Sequence, residues 1–189
     1  MKYSVPPTQL PDGRYYSKVL TDEDKRVIVQ LNNSTLVSNF DEDEVTISLN
    51  EAGQSKINDF DNQNVAAAKE NTETWFGKVL TDKTLEAAYS KSITNDCMIV
   101  TKLTNNKNKV LTNIYTHDKQ LADPELLTES TVCDVVLEFS GIWFRNKSYG
   151  SVWRVVQVRM KPPPRKPKVQ EYLFQDEDKS GSSSEEDLF

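Results

Sequence analysis

Histidine, cysteine and glycine are scarce in this chain, which has one His, two Cys and six Gly among 189 residues. No glycine-rich phosphate loop of the form GxxxxGK[ST] is present, which removes the commonest nucleotide-hydrolysing signature. A zinc site would need Cys97, His117 and Cys133 together, and no two of them are close in sequence, unlike the paired ligands of zinc motifs. His117 reads as a surface strand residue. No apolar run approaches the roughly 18 residues of a membrane span. The start, "MKYSVPPTQL", lacks the apolar stretch and cleavage pattern of a secretory signal. Two isolated thiols fit a reducing compartment. The expectation is a soluble protein without a membrane partner, not secreted, in a host cytoplasm, a nucleus or a viral replication compartment.

A more informative absence is local. From Gly141 to Gln170 there is no acidic residue, while Arg145, Lys147, Arg154, Arg159, Lys161, Arg165, Lys166 and Lys168 all fall there. From Glu171 onward seven acids face the single Lys179, so the net charge of -6 belongs to the tail and residues 1–170 are neutral. A basic stripe attracts polyanions, and an adjoining acidic tail can compete for it.

The pattern along the chain is mostly that of strands. "KRVIVQL" and "STLVSNF", separated by a turn at "NN", and then "VTISL" after "DEDE" read as three short strands. From Ser55, with Ile57, Phe60, Asn64, Ala67, Ala68 and Asn71 at helical spacing, a helix is expected; a second follows Asp82, with Leu85, Ala88 and Tyr89 on one face. "CMIVTKL", the turn "TNNKNK" and "VLTNIYT" read as a hairpin. A looser "DKQLADPELLTES" leads to the longest strand, "TVCDVVLEFSGIWF". Strict alternation puts Cys133, Val135, Leu137, Phe139, Gly141 and Trp143 on its core face, and Asp134, Val136, Glu138, Ser140, Ile142 and Phe144 on the other. Gly141 allows a bend or bulge there. "RNKSYG" turns the chain into "SVWRVVQVRM", and "KPPPRKPK" ends regular structure because prolines donate no ladder bond. Strands, inserted helices and more strands predict a mainly β fold, an OB-fold-like Greek-key barrel. The expected division is a 1–161 OB-like single-stranded DNA-binding domain and a 162–189 Pro/Lys-rich linker with a disordered acidic tail.

Binding single strands without sequence preference needs cations along a groove and aromatic faces for the bases. Trp143, Phe144, Tyr149 and Trp153 interleave with Arg145, Lys147, Arg154, Arg159 and Lys161. Trp143 and Trp153 are read either as stacking residues or as core. Two further spots echo the pattern: "YYSK" at Tyr15–Lys18 and "WFGK" at Trp75–Lys78, each followed by "VLTD"; Trp75 and Lys78 join the candidate DNA-binding set. The acids of "DEDE" (Asp41 to Glu44), with Asp134 and Glu138, are explained by a solvated turn and an outward strand face better than by a Mg²⁺ nuclease site. No catalytic residue, cofactor or metal is expected.

On the segment Phe139 to Arg159, with "GIWF" and "YGSVWRVVQVR", and on the tip "EEDLF", the chain resembles the podophage-type single-stranded DNA-binding proteins and their counterparts in nucleocytoplasmic large DNA viruses. The large-DNA-virus members are the closer match. The resemblance implies an OB-fold that binds and protects single-stranded DNA during viral replication, recombination and repair. It also implies a tail in which Glu185, Glu186, Asp187, Leu188 and Phe189 contact a viral DNA polymerase or other replication protein. This tail departs from the family's densest examples in being interrupted by "KSGSSS". A homodimer is compatible with this reading. Ser182, Ser183 and Ser184 each precede an acid by three residues, which makes them candidate phosphorylation sites. The alternative function is a viral protein-interaction or transcription-associated adaptor that does not coat DNA.

Overall fold

The computed structural model describes residues 1–38, 44–102 and 111–162. Its elements, in chain order, are β1 (Lys2–Tyr3), β2 (Thr8–Gln9), β3 (Tyr15–Leu20), β4 (Val27–Leu36), β5 (Glu44–Ser48), α1 (Glu51–Glu70), α2 (Thr72–Phe76), α3 (Asp82–Ala88), β6 (Tyr89–Ser90), β7 (Ile93–Thr94), β8 (Cys97–Lys102), β9 (Asn113–Tyr115), β10 (Val132–Arg145) and β11 (Ser148–Met160), with a 3₁₀ turn at Pro124–Leu126. The fold is mainly β with inserted helices. Strand β4 pairs with β5, β5 with β8, β8 with β11, β11 with β10, and β10 again with β4, so the ring closes. All these pairs are antiparallel except β8–β11. Numbered one to five along the chain, the ring strands run 1-2-3-5-4-1, a five-stranded Greek-key barrel of the OB type.

The barrel interior is apolar: Leu31, Val45, Ile47, Met98, Val100, Val135, Leu137, Phe139, Val155 and Val158 are all buried. Helix α1 lies over this core. It starts at Glu51, not Ser55, because the Asn50 side chain accepts from the Gly53 N–H at 2.9 Å and caps the first turn. Its buried Ile57 and half-buried Phe60 face the core, where the Phe60 ring meets Phe139 and Trp153 edge-on at 5.6 and 5.3 Å. Further along, Asp61 and Asn64 are buried but satisfied. Asp61 accepts from the Ser92 backbone N–H, the Ser92 hydroxyl and Tyr89, while Asn64 donates to Tyr89 and Ser151 and accepts from Tyr3. Unpaired, either group would cost on the order of 1–3 kcal/mol.

Several expectations change. "NN" does not reverse the chain: Asn33 takes a positive φ of 53° inside one continuous ten-residue strand, β4. The ladder to β10 skips residues there, and the Asn33 N–H donates instead to Asp134 at 3.1 Å. β8 and β9 do not form a hairpin; each runs parallel to β11, at Arg154–Val155 and Gln157–Arg159. The turn "TNNKNK" lies outside the described residues. Helix α2 is an addition, and its C-cap Gly77 takes the left-handed conformation at φ 68°. The two echoes differ in structure, since "YYSKVL" is strand β3 whereas "WF" ends α2.

The largest change is in β10. Between Phe139 and Gly141 the register against β11 shifts by one residue, a bulge that exchanges inside for outside. Ile142 and Phe144 are therefore buried, at 0% and 7% exposure, and Trp143 is half-exposed on the opposite face. Gly141 is required at the crossing. A Cβ there would collide with the Ser17 carbonyl oxygen and lie 2.7 Å from the Tyr16 ring, whose hydroxyl donates to Ser140 O.

On the outer wall, Asp134 is almost wholly covered, yet it accepts from Arg159 and from Lys161, the latter at 2.8 Å, besides the Asn33 N–H. Burial alone would raise its pKa, but the Lys161, Arg159 and Asn33 hydrogen bonds outweigh it and hold the carboxyl below its ordinary value of 3.8. Stability from this group is thus present above that value and lost as pH falls through the lower folded one.

Two predictions follow from the barrel. Gly141→Ala should lower stability by on the order of 2–4 kcal/mol, read by urea denaturation; an unchanged midpoint contradicts the bulge. Asp134→Asn should be less stable at pH 7, because Arg159 and Lys161 lose their shared carboxylate, and its melting temperature should fall less than that of the parent on acidification through pH 4. Parallel acid limbs would show that Asp134 does not carry the linkage.

Candidate nucleic-acid interface

The bulge at Gly141 creates an outer surface on β3, β10 and β11. Tyr16 pairs with Trp143 across the β3–β10 ladder, and Trp143 pairs with Gly150 across the β10–β11 ladder. The Trp143 indole lies over that glycine: a Cβ on Gly150 would be 3.0 Å from Cζ2 and 3.1 Å from Cε2. The missing side chain at residue 150 gives the indole its seat. Beyond Gly150 opens a cleft of about 340 Å³ lined by Thr46, Lys91, Cys97, Ile99 and Ser151 as well as by Trp143 and Trp153. Ile99 is 61% exposed, and it stands on β8, on the strand 2–3 face through which OB barrels bind oligonucleotides.

Cations stand on these strands and on the segments beside them, with Arg154 opposite Glu138 in the β10–β11 ladder. Lys18, Lys91, Arg154, Arg145 and Lys147 are exposed, and none forms an ion pair among the described residues. Arg159 and Lys161 differ, being committed to Asp134. Lys91 is positioned by its neighbours, since Ser90 pairs with Gly150 and Ser92 is held by Asp61 and by the Trp153 indole N–H at 3.0 Å. The buried polar network under α1 thus fixes one wall of the cleft.

The sequence-derived candidates separate into two groups. Trp143, Arg145, Lys147 and Arg154 lie on or beside the outer surface. Phe144, Tyr149, Trp153 and Trp75 are core: the Tyr149 hydroxyl donates to Leu85 O, Phe144 meets Trp75 edge-on at 5.4 Å, and Trp153 packs on Phe60 and Phe139. Burial and the Glu86 charge push the Tyr149 hydroxyl up to about 12. Each ring is consumed by packing, so none presents a free face to a base. Lys78 is exposed beyond α2. Glu44 and Glu138 are also placed; Glu138 pairs with Arg26 at 3.6 Å. Tyr16, Lys18, Lys91 and Ile99 were not in the sequence-derived set. Of these, only the "YYSK" echo carried a signal for Tyr16 and Lys18; Lys91 and Ile99 come to the site through pairings distant in sequence.

Cys133 is buried, and burial with the Asp134 charge pushes its thiol up to about 12, which keeps it protonated. Among the described residues no group of three His, Cys, Asp or Glu converges, and no helix is long and apolar enough to cross a membrane. Asp41, Arg165, Lys166, Lys168 and the tail with Ser182, Ser183, Ser184, Glu185, Glu186, Asp187, Leu188 and Phe189 lie outside the described residues.

Comparison with known proteins places the chain in a family and beside a set of structures. No curated protein matches it. Three solved structures of a single-stranded DNA-binding protein from bacteriophage Enc34 have a similar course, each at a TM-score of 0.48 and 7% identity. The complex with single-stranded DNA and the C-terminal truncation are each covered over 96% of their chain by 85% of this one, and the third over 96% by 89%. A family model, described as a family of unknown function, matches residues 19–176, from strand β3 past the end of the barrel. The chain belongs to that family, DUF5871.

Proposed function

We propose that this protein binds single-stranded DNA through the outer surface centred on Trp143. The observation that carries the reading is the half-buried indole seated over Gly150, opposite Tyr16, with Lys91 lining the same cleft, Lys18 two residues along β3 from Tyr16, and neither of them in an ion pair among the described residues. Trp143 and Tyr16 offer faces on which bases stack, Ile99 and the cleft take apolar edges, and Lys18, Lys91, Arg145, Lys147 and Arg154 track phosphates. Binding of this kind moves no bond, so the proposed activity is non-enzymatic and needs no cofactor.

The resemblance to the viral family extends the proposal to coating and protecting single strands during viral DNA replication, recombination and repair, in the host cytoplasm or nucleus. In this reading residues 162–189 form an appendage to a 1–161 domain. The acids from Asp176 to Asp187 compete with DNA for the basic surface, and Leu188 and Phe189 anchor a polymerase or other replication protein. Phosphorylation of Ser182, Ser183 and Ser184 adds charge to the same competitor, and a homodimer remains compatible with it. The adaptor alternative accounts for the basic hairpin and the acidic tail, but it gives no role to an indole held open over a glycine.

Trp143→Ala should weaken oligonucleotide binding by about 1–3 kcal/mol while leaving the melting temperature close to that of the parent, and Lys91→Gln with Arg154→Gln should reduce the slope of log affinity against log salt by about 0.7 per lost contact. Unchanged affinity and slope in well-folded variants would remove this surface as the DNA site. For the tail, deletion of residues 176–189 should tighten binding, most strongly at low salt; deletion of Leu188 and Phe189 alone should leave DNA affinity unchanged and weaken capture of the replication partner. Equal DNA affinity of all three forms would sink the competition.

A further inference from the structure

A second aromatic groove lies on the other face of the same strands. Tyr15 pairs with Phe144 in β10 just as Tyr16 pairs with Trp143, and alternation sends the two tyrosines to opposite sides of the sheet. On the Tyr15 side, Pro6, Pro7, Tyr15, Phe76, Trp75 and Arg145 line a groove of about 710 Å³. Tyr15 is 46% exposed there. The one carboxylate lining it, Asp12, is neutralised by Arg14, which donates through Nε at 2.6 Å. Arg145, on the lining, has no ion-pair partner among the described residues, and beside the lining residues Thr74 and Gly77 the exposed Glu73 and Lys78 offset each other in charge. The groove therefore joins a stacking face to net positive charge. Trp75 lines it as a packed ring, with its indole N–H buried below the groove surface.

The two surfaces meet at the tip of the β10–β11 hairpin, where Arg145 pairs with Ser148 and the chain reverses through Asn146 and Lys147. Arg145, which alternation puts on the same face as Trp143 two residues back, also borders the Tyr15 groove at the strand's end, so one cation adjoins both surfaces. We infer that the Tyr15–Phe76 groove is a second nucleotide subsite, taking an unstacked base and its phosphate from a strand that crosses the hairpin tip after leaving the Trp143 surface. This rests on the proposed function. Its consequence is a length dependence: a short strand fills only the Trp143 surface, whereas a longer one wraps the tip and gains the second stack.

The test uses full-length protein and fluorescein-labelled oligo(dT) of about 4 and about 16 nucleotides, the limits of OB-fold site sizes, read by anisotropy. Tyr15→Ala should weaken binding of the longer strand about fivefold or more and leave the shorter one unchanged, whereas Trp143→Ala should weaken both. If Tyr15→Ala binds the longer strand like the parent while Trp143→Ala is impaired, the second subsite is wrong and the function stands. Equal losses for both lengths would also overturn it, by making the groove part of a single primary site. If neither variant is impaired, the Trp143 surface is not the DNA site and the subsite falls with it; if the parent itself binds neither strand, the DNA-binding function fails. Should Tyr15→Ala melt early, Lys78→Gln is the second variant: it should lower the salt slope by about 0.7 for the longer strand alone, and an unchanged slope would overturn the subsite.

Discussion

Between Phe139 and Gly141, strand β10 gains one residue against β11, and its backbone lies so close to Ser17 and Tyr16 that no side chain fits at position 141. This contact decides which side chains the hairpin shows to water. Before it, the odd-numbered Val135, Leu137 and Phe139 fill the barrel; after it, Ile142 and Phe144 point inward and Trp143 points out. Without the bulge, the indole would be buried and Phe144 would stand outside. Gly150 completes the arrangement by leaving space for the indole on the neighbouring strand. Two glycines thus give a large aromatic ring an exposed resting place, at a cost in burial that packing alone does not explain.

The polar interior supports the same surface from behind. Asp61 and Asn64, on the inner face of α1, gather Tyr3, Tyr89, Ser92 and Ser151. Because Ser92 also receives the Trp153 indole N–H, helix, β11 and the Lys91 segment are held in one network. Such a network is more directional than apolar packing and fixes relative position. Trp153 is therefore a structural counterpart to Trp143: both indoles come from the hairpin, one packed on Phe60 and Phe139 and one half-buried on the outer surface.

Local pattern made much of this legible. The two halves of β4, the β5, β10 and β11 strands, and the α1 and α3 helices with Ile57 and Leu85 buried follow from alternation and helical spacing in the sequence, and the barrel class from the order of these elements. What failed was decided by distant partners. "NN" has the composition of a turn, but Asp134, a hundred residues away, supplies the bond that keeps β4 extended. β8 and β9 resemble two arms of a hairpin, yet the free edge of β11 captures both. "YYSKVL" and "WFGKVL" share spacing and differ in conformation, because one pairs with β10 and the other packs its Trp75 between Tyr3 and Phe144. In the site, Arg145, Lys147 and Arg154 are readable from the acid-free stretch, whereas Lys91 is not; nor is the aromatic ring that stands free, since that depends on the phase of a single bulge.

The central claim is that Trp143 is the ring that meets DNA, and intrinsic fluorescence tests it most directly. Of the three tryptophans, Trp75 and Trp153 are buried and Trp143 alone is half-exposed. Titration with an unstructured oligonucleotide should quench the emission, added salt should restore it, and Trp143→Phe should abolish the response while keeping the folded spectrum of the other two. Quenching that persists in Trp143→Phe, or no quenching in the parent at an oligonucleotide concentration that saturates binding, would contradict the account.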